Sequence, residues 1–310
     1  MDTIFYYFSN NESLGSSTKE KLVNVPNLQI GSYETTVFVD SETKIVSTDD
    51  VRGKKIIILC STSSPVNESV MRLLIFIDGV KRGGASEIVL IAPYLGYSRQ
   101  DRQIQPNDPV TLQMIVNMYK QTGVDRIYRF DPHSEYDEGY FTLPVISVSS
   151  EVFFAEYFEI LFKIFSIDPK DVVVLSPDHG ALNRGLSLHR NIEHSSFASI
   201  SKKRLGDESV RIVSFEGDVH DKVVIIYDDI ASSGETAFQA INTARQKGAS
   251  KVFVAVAHAV FSTRVEEIFH HLRLNGLIVT NSIESALSSG TDVIDIAPLV
   301  ARIVLSEMDK

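Results

Sequence analysis

Short apolar runs recur along the chain: IIIL (56–59), EIVLIA (87–92), RIYRF (126–130), VVVLS (172–176), VVIIY (223–227) and KVFVAVA (251–257). They are rich in β-branched residues and show no strict polar alternation, the pattern of strands covered on both faces. Longer segments between them carry apolar residues at helical spacing. Within 65–83, Val70, Leu73, Leu74 and Ile77 share one helix face. Further helices are predicted over 109–121, 150–166, 180–190, 235–248, 260–273 and 297–308. Asn67-Glu68 and Asp108-Pro109 resemble helix starts, and Gly248 a helix stop.

Strand–helix alternation implies an α/β fold of largely parallel sheets flanked by helices. The alternation runs twice, which predicts one domain over 1–146 and a second over 147–310. No Gly/Ser-rich linker separates them, so the boundary falls softly near Pro144–Ser150. The polar stretch SKKRLGDESV (201–210) is expected to be an exposed, mobile loop between two strands.

Composition narrows the field. A chain of 310 residues with 44% hydrophobic and 23% charged residues can bury a core in each half. Its net charge of −10 argues against a nucleic-acid-binding body, because phosphate backbones are gripped mainly by Lys and Arg. Small anionic ligands need only local positive charge and stay open. The single cysteine, Cys60, forbids an intrachain disulfide and suggests a reducing, cytoplasmic setting. Its place after KKIIIL predicts a buried thiol. No apolar run reaches the ~18 residues of a membrane helix, and the start MDTIFYYFSNNES lacks the pattern of a signal peptide.

The most informative stretch is VVIIYDDIASSGETA (223–237). In an open α/β sheet, ligands sit at the carboxyl ends of the strands, where Asp228 and Asp229 stand. The next helix start offers unpaired N–H groups and a positive dipole end. Ser232, Ser233 and Thr236 add hydroxyls, and Gly234 permits close backbone approach. Together they form a cradle for a phosphate monoester. The two carboxylates repel that phosphate, so they would accept hydrogen bonds from hydroxyls of the same ligand, or face a metal. A ribose phosphate satisfies both halves; a capped helix with a solvated acidic pair is the plainer alternative. Neither a P-loop nor a GxGxxG run is present.

Three further groups carry possible chemistry. Arg99, Gln100, Asp101 and Arg102 follow the strand ending near Ala92, and an Arg fork there suits a polyphosphate. His133 stands among acidic residues after RIYRF, a candidate for metal or phosphate contact. Lys202, Lys203 and Arg204 form a compact positive cluster in an acidic chain. Taken alone, the Arg99–Arg102 and Lys202–Arg204 groups read first as solvated surface, whereas His133 gains weight from its acidic neighbours.

Together with CSTSSPVNESVMRLLIFIDGVKRGGASEIVLIAPYLGYSRQDR (60–102), FDPHSE (130–135), SPDHGALNR (176–184), ISKKR (200–204) and TNSI (280–283), the acidic-pair stretch resembles the ribose-phosphate pyrophosphokinase family over nearly the whole chain. The resemblance implies two type I phosphoribosyltransferase-like domains, ATP on the first and ribose 5-phosphate on the second. It implies transfer of pyrophosphate from Mg²⁺-bound ATP to the 1-hydroxyl of ribose 5-phosphate, with release of AMP. Arg99, Gln100, Asp101, Glu34 and His133 would contact ATP. His133 and Asp178 would contact Mg²⁺. Asp228 and Asp229 would hold the ribose hydroxyls, and Ser232, Ser233, Gly234, Glu235 and Thr236 the phosphate. Lys202 and Arg204 would neutralise charge during transfer. The family is usually a homo-oligomer, and Glu34 reaching a neighbouring subunit's nucleotide would make a dimer the minimum.

Three positions depart from the family's pattern. Only Glu34 remains of its Phe-x-Asp-Gly-Glu segment, here IGSYE (30–34); QIQPND (103–108) replaces basic residues; and Glu235 stands where many members have Gly. These departures motivate a second reading, a pyrophosphokinase acting on a 5′-substituted ribose phosphate such as ADP-ribose, as in NAD salvage. Two further readings are a phosphoribosyltransferase and a non-catalytic regulatory relative. Both are disfavoured by RQDR and by retention of Lys202, Arg204, His133 and Asp178.

Overall fold

The computed structural model describes residues 2–134, 139, 141–205, 209–231, 234–260, 272, 274–284 and 290–310, with the backbone alone at 202–205 and 209–213. The chain forms two compact units. One contains Met1–Val148, Asn281–Glu284 and Asp295–Lys310; the other contains Ser149–Thr280 and Ser285–Ile294.

The first unit is built on β1 (Thr3–Tyr7), β2 (Leu28–Ile30), β5 (Lys55–Leu59), β6 (Glu87–Ala92), β7 (Arg126–Phe130) and β8 (Val145–Val148). They form one sheet in the order β2-β1-β5-β6-β7-β8, parallel throughout. β5 and most of β6 are buried along their length. That explains their unbroken apolar sequences: helices cover both faces of such a sheet. In α2 (Val66–Arg82), the apolar positions at helical spacing, Val70, Leu73, Leu74 and Ile77, are all buried. Burying each such side chain contributes about 1.5–3 kcal/mol. Lys81 and Arg82 lie in its last turn, where the helix dipole favours cations. Tyr6 and Phe8 pack edge-on against Phe76 of α2, while Tyr33 stacks on Phe8. Tyr33 opens a separate antiparallel hairpin, β3 (Tyr33–Val37) with β4 (Thr43–Ser47). The helices α1 (Glu12–Leu22) and α3 (Thr111–Thr122) complete this part, and the last helix, Ala297–Met308, packs on α1.

The second unit holds seven strands: β9 (Val172–Ser176), β10 (Ser196–Leu205), β11 (Ser209–Glu216), β12 (Val223–Ile230), β13 (Lys251–His258), β14 (Gly276–Thr280) and β15 (Thr291–Ile294). Their order is β11-β10-β9-β12-β13-β14-β15. All neighbours are parallel except β10 and β11. The helices α4 (Glu151–Phe165), α5 (Leu182–Asn191) and α6 (Glu235–Gln246) belong here. Phe154 of α4 meets Tyr227 of β12, and Phe158 meets Phe253 of β13, both edge-on. The last helix of the chain is α7 (Ala297–Met308).

The α/β architecture and the six predicted strands are present. One expectation fails. Residues 201–205 and 209–210 are paired strand, not loop: Lys202 sits opposite Ile212 and Arg204 opposite Val210, beyond a bulge at Ser201/Lys202. β9 pairs with β10 only from Ser196 to Ser199. The rest of β10 is a two-stranded extension that pairs with β11 alone. The helix predicted over 260–273 falls almost wholly outside the described residues.

Candidate active site

β9 and β12 are neighbours in space, but the chain leaves β9 for β10 on one side and returns to β12 on the other. This reversal is a topological switch point, where open α/β sheets bind ligands beyond their strand ends. β12 pairs with β9 only as far as Ile226, opposite Leu175. It continues to Ile230 because β13 runs on to His258. Asp228 and Asp229 therefore lie on strand backbone that has passed the end of its β9 pairing. The sequence predicted this strand to stop at Tyr227; the longer partner β13 carries it three residues further.

The β9 end is folded tightly. Ser176 Oγ donates to the main-chain oxygen of Asp178 at 2.8 Å, and Asp178 Oδ1 accepts from Ala181 N at 3.1 Å. This turn opens α5, whose third residue is Arg184. Arg184 Nη1 donates to Asp228 Oδ1 at 2.8 Å and also to Asp229 Oδ1. Asp228 Oδ1 further accepts from Asp229 N at 2.9 Å. The three side chains are mostly buried, 16% exposed at Arg184, 20% at Asp228 and 3% at Asp229.

Electrostatics explain the arrangement. Two carboxylates ~4 Å apart repel by about 4 kcal/mol at an effective dielectric near 20. Burial, then the charge of Asp229, pushes the Asp228 carboxyl well above the usual carboxylate range; Arg184 works against both, and Asp178 adds to the rise. Burial opposes the charge of Arg184, but Asp229 and Asp228 outweigh it and hold the guanidinium above its ordinary pKa. A cation in the first turn of a helix is disfavoured by the dipole. The acidic pair is the local reason for it. Arg184 was legible only as the last letter of SPDHGALNR. Its first-turn place is seen only in the structure, because the sequence predicted this helix from residue 180 and the helix starts at Leu182.

Beyond β12, Gly234 precedes α6 with φ 72°, a left-handed conformation that glycine adopts without strain. The first N–H groups of α6 have no partner within the helix. Phe238 N closes its first turn onto Gly234 O at 2.8 Å. Thr236 is half-buried and Glu235 exposed. Glu235 Oε1 accepts from Gln239 Nε2 at 2.9 Å, one turn along the helix. Ser232 and Ser233 lie outside the described residues.

The other predicted residues fall in the first unit or on β10. After β6, Gly96 passes so close to β5's continuation that a Cβ there would lie 2.5 Å from Thr62 O. Gly96 N donates to Thr62 Oγ1 at 2.7 Å. The following turn closes through Gln100 N to Tyr97 O at 2.8 Å. Gln100 is then held at the start of α3: Thr111 Oγ1 donates to its Oε1 at 2.6 Å, and Leu112 N to its main-chain oxygen at 3.2 Å. Asp101 is buried and Arg99 exposed. Downstream, Asp108 Oδ2 accepts from Ile104 N and Gln105 N, which orders QIQPND without basic residues.

His133 follows β7 in a half-buried turn. The buried Arg129 donates to Ser147 Oγ at 3.1 Å and Ser134 O at 3.4 Å, and Asp131 N donates to Val148 O at 2.9 Å. The turn is thus tied to β7 through Arg129 and to β8 through Val148. Glu34 is exposed on β3 opposite Val46. Lys202 and Arg204 are placed by their backbone on β10; their side chains lie outside the described residues. The structure thus brings together Asp178, Arg184, Asp228 and Asp229 in the second unit. Glu34, Arg99, Gln100, Asp101 and His133 belong to the first.

Among the described residues, no group of three or more His, Cys, Asp and Glu gathers to hold an ion. Magnesium asks for only one or two protein carboxylates, because it fills its shell with water and substrate phosphates. Asp178, half-buried and with one oxygen committed to Ala181, is such a carboxylate. Among the described residues, no helix is long and apolar enough to cross a membrane.

Comparison with known proteins places this architecture. Residues 4–123 match the profile of the N-terminal domain of ribose phosphate pyrophosphokinase, and residues 197–307 match that of the phosphoribosyl synthetase-associated domain. A ribose-phosphate pyrophosphokinase of Thermotoga maritima is 34% identical over 92% of this chain and 90% of its own length. Another, from Fusobacterium nucleatum, is 34% identical over 89% of this chain and 85% of its own. The crystal structure of phosphoribosylpyrophosphate synthetase from Mycobacterium smegmatis superposes with a TM-score of 0.89 at 27% identity, covering 100% of this chain and 99% of that one. Two largely parallel sheets with a switch-point acidic pair, joined to likeness of this extent, define an enzyme of the phosphoribosyl pyrophosphate-forming class. The chain belongs to the ribose-phosphate pyrophosphokinase family.

Proposed function

We propose that the protein transfers the pyrophosphoryl group of Mg²⁺-bound ATP to the 1-hydroxyl of ribose 5-phosphate, giving phosphoribosyl pyrophosphate and AMP. The observation that carries this reading is the Asp228–Asp229 pair, bridged by Arg184 at the switch point and followed by the glycine start of α6. A diol on the acids and a phosphate on the helix start describe a sugar monophosphate.

In this reading the sugar phosphate rests on the N–H groups of α6 with Ser232, Ser233, Gly234 and Thr236. Asp228 and Asp229 accept from its ribose hydroxyls. That fixes O1 for in-line attack on the β-phosphorus. The O1–Pβ bond forms as the bond from Pβ to the bridging oxygen breaks; that oxygen leaves with AMP, and the hydroxyl proton passes to solvent. Such chemistry depends on positioning and charge neutralisation rather than on a protein nucleophile. Arg99, Gln100, Asp101 and His133 hold the nucleotide, and Lys202 and Arg204 neutralise charge on the transferring group. Magnesium, when bound, adds positive charge to the polyphosphate oxygens, with Asp178 and His133 as its protein contacts.

Glu235 bears on the choice of acceptor. A carboxylate aimed into the cradle would repel a dianion. Its bond to Gln239 runs along the outside of α6 instead. That favours plain ribose 5-phosphate over a 5′-substituted relative such as ADP-ribose. The protein is further read as a homo-oligomer, at least a dimer, because the β3–β4 hairpin bearing Glu34 exposes Val37, Phe38 and Val39 together.

The deciding experiment is mass analysis of products after incubation with Mg·ATP and one acceptor at a time. Phosphoribosyl pyrophosphate and AMP are expected with ribose 5-phosphate only. A product formed from ADP-ribose alone would replace the acceptor, and release of no AMP with either would support a regulatory relative. Sedimentation that finds only single chains at assay concentration would remove the oligomer.

A further inference from the structure

Arg184 stands outside the groups that meet substrate in the reading above, yet it is the cation that both sugar-binding acids share. We propose that Arg184 is a positioning residue, a single guanidinium that aligns Asp228 and Asp229 to receive the ribose diol and so sets affinity for the acceptor. The inference rests on the acceptor reading.

Geometry carries it. One nitrogen, Nη1, meets Oδ1 of both carboxylates, and those two residues are consecutive on β12. Consecutive strand side chains point to opposite faces. Something must therefore draw the two carboxyl groups toward a common point if they are to serve one diol. Arg184 supplies it from α5, which packs against β12. Its own position is set by the turn Ser176–Asp178–Ala181 that opens the helix. The side chain is only 16% exposed, so its charge acts with little screening by water. A guanidinium is planar and remains charged, which an ammonium at the end of a flexible stem does not reproduce. The arrangement also links the candidate metal contact and the sugar contacts: Asp178 begins the turn whose helix delivers Arg184.

The test uses full-length protein with the substitutions R184M and R184K. Thermal melts first establish that each is folded. Calorimetry then measures ribose 5-phosphate binding, and steady-state assays give KM for each substrate and kcat. For R184M, acceptor KM is expected to rise about 10- to 100-fold, the effect of losing bonds to charged groups. KM for ATP should move less than about threefold, and kcat should fall by less than acceptor KM rises, as for lost uniform binding. R184K keeps the charge but not the planar fork, and should raise acceptor KM by roughly five- to tenfold. If R184M does not fold, R184K decides. A folded variant with wild-type acceptor KM, or parallel rises in both KM values, would overturn the positioning role. Wild-type protein that fails to bind ribose 5-phosphate would overturn the acceptor reading and this inference with it.

Discussion

Lys55, the first residue of β5, donates through Nζ to the main-chain oxygen of Glu307 at 2.6 Å, across 252 positions of sequence. Glu307 lies near the end of α7 and is fully buried. Its Oε1 accepts from Tyr128 at 2.5 Å and Lys310 at 2.7 Å, with Arg126 at 3.5 Å. Glu87 pairs with Lys55 at 3.0 Å and with Arg126 at 2.5 Å. The final helix is thus bonded to β5 and β7, and Glu87 of β6 bridges Lys55 and Arg126 between them.

Removing the Glu307 carboxylate takes its partner from Tyr128, Lys310 and Arg126, while Glu87 still pairs with Lys55 and Arg126. Glu307→Ala is expected to cost about 1–3 kcal/mol, the range for losing hydrogen bonds to a charged group. Burial alone would raise the Glu307 carboxyl, but Lys310, Tyr128 and Arg126 hold it below its ordinary value. A depressed carboxylate contributes stability above its unfolded pKa, ~4.3, and loses it as pH falls through the folded value. The melting difference between wild type and E307A should therefore be full at pH 7 and shrink below pH ~4. Equal melting temperatures at pH 7 would show that the cluster contributes nothing.

Asp228 has the opposite sign. Its raised folded pKa means that its ionised form costs stability, fully avoided below ~3.9 and incurred as pH rises through the folded value. Asp228→Asn should melt higher than wild type at pH 8 in chelator, with the gap closing toward pH 4. Each kcal/mol corresponds to roughly 2–4 °C in a domain of this size. Ribose 5-phosphate binding should weaken at the same time, because function retains a strained pair. A variant that melts lower at pH 8 would mean that the Arg184 bond outweighs the repulsion.

How much of this was written in the sequence follows from the range of each interaction. Strands such as VVVLS were legible because a fully buried strand needs no partner's identity to be apolar. The last helix was legible over 297–308, but its attachment to the first unit was not, since Lys55 and Glu307 are 252 residues apart. SKKRLGDESV looked like a loop because its polarity is local, whereas its pairing in β10 and β11 is set by a neighbouring strand. Asp228 and Asp229 were legible from the adjacent helix start. Arg184 was not, because the bond between them crosses 44 residues.

Cys60 gives a direct test of packing at the end of β5. It is fully buried, and burial pushes its thiol up to about 12. The thiolate is the reactive form, so the native protein should resist thiol-disulfide reagents at pH 8. One equivalent should react at once in denaturant, and labelling in native buffer should track unfolding. Rapid stoichiometric labelling of folded protein would show that the strand end is open.

Gly96 tests whether the Tyr97–Asp101 turn serves the nucleotide. A Cβ at this position would lie 2.5 Å from Thr62 O and 2.9 Å from Val66 Cγ1. The first of these is main chain, so the conflict cannot be relieved by a rotamer change. Gly96→Ala must push the segment away from β5 and disturb the Gly96–Thr62 bond, at about 1–3 kcal/mol for overpacking. The turn that carries Arg99 and Gln100 begins one residue later. KM for ATP should rise while KM for ribose 5-phosphate stays within about twofold, because the strain enters the first unit's turn and not the residues proposed for the acceptor. The acceptor groups belong to the second unit and share no bond with Gly96 among the described residues. If the acceptor constant instead moves and the ATP constant does not, the division of labour between the two sheets is wrong.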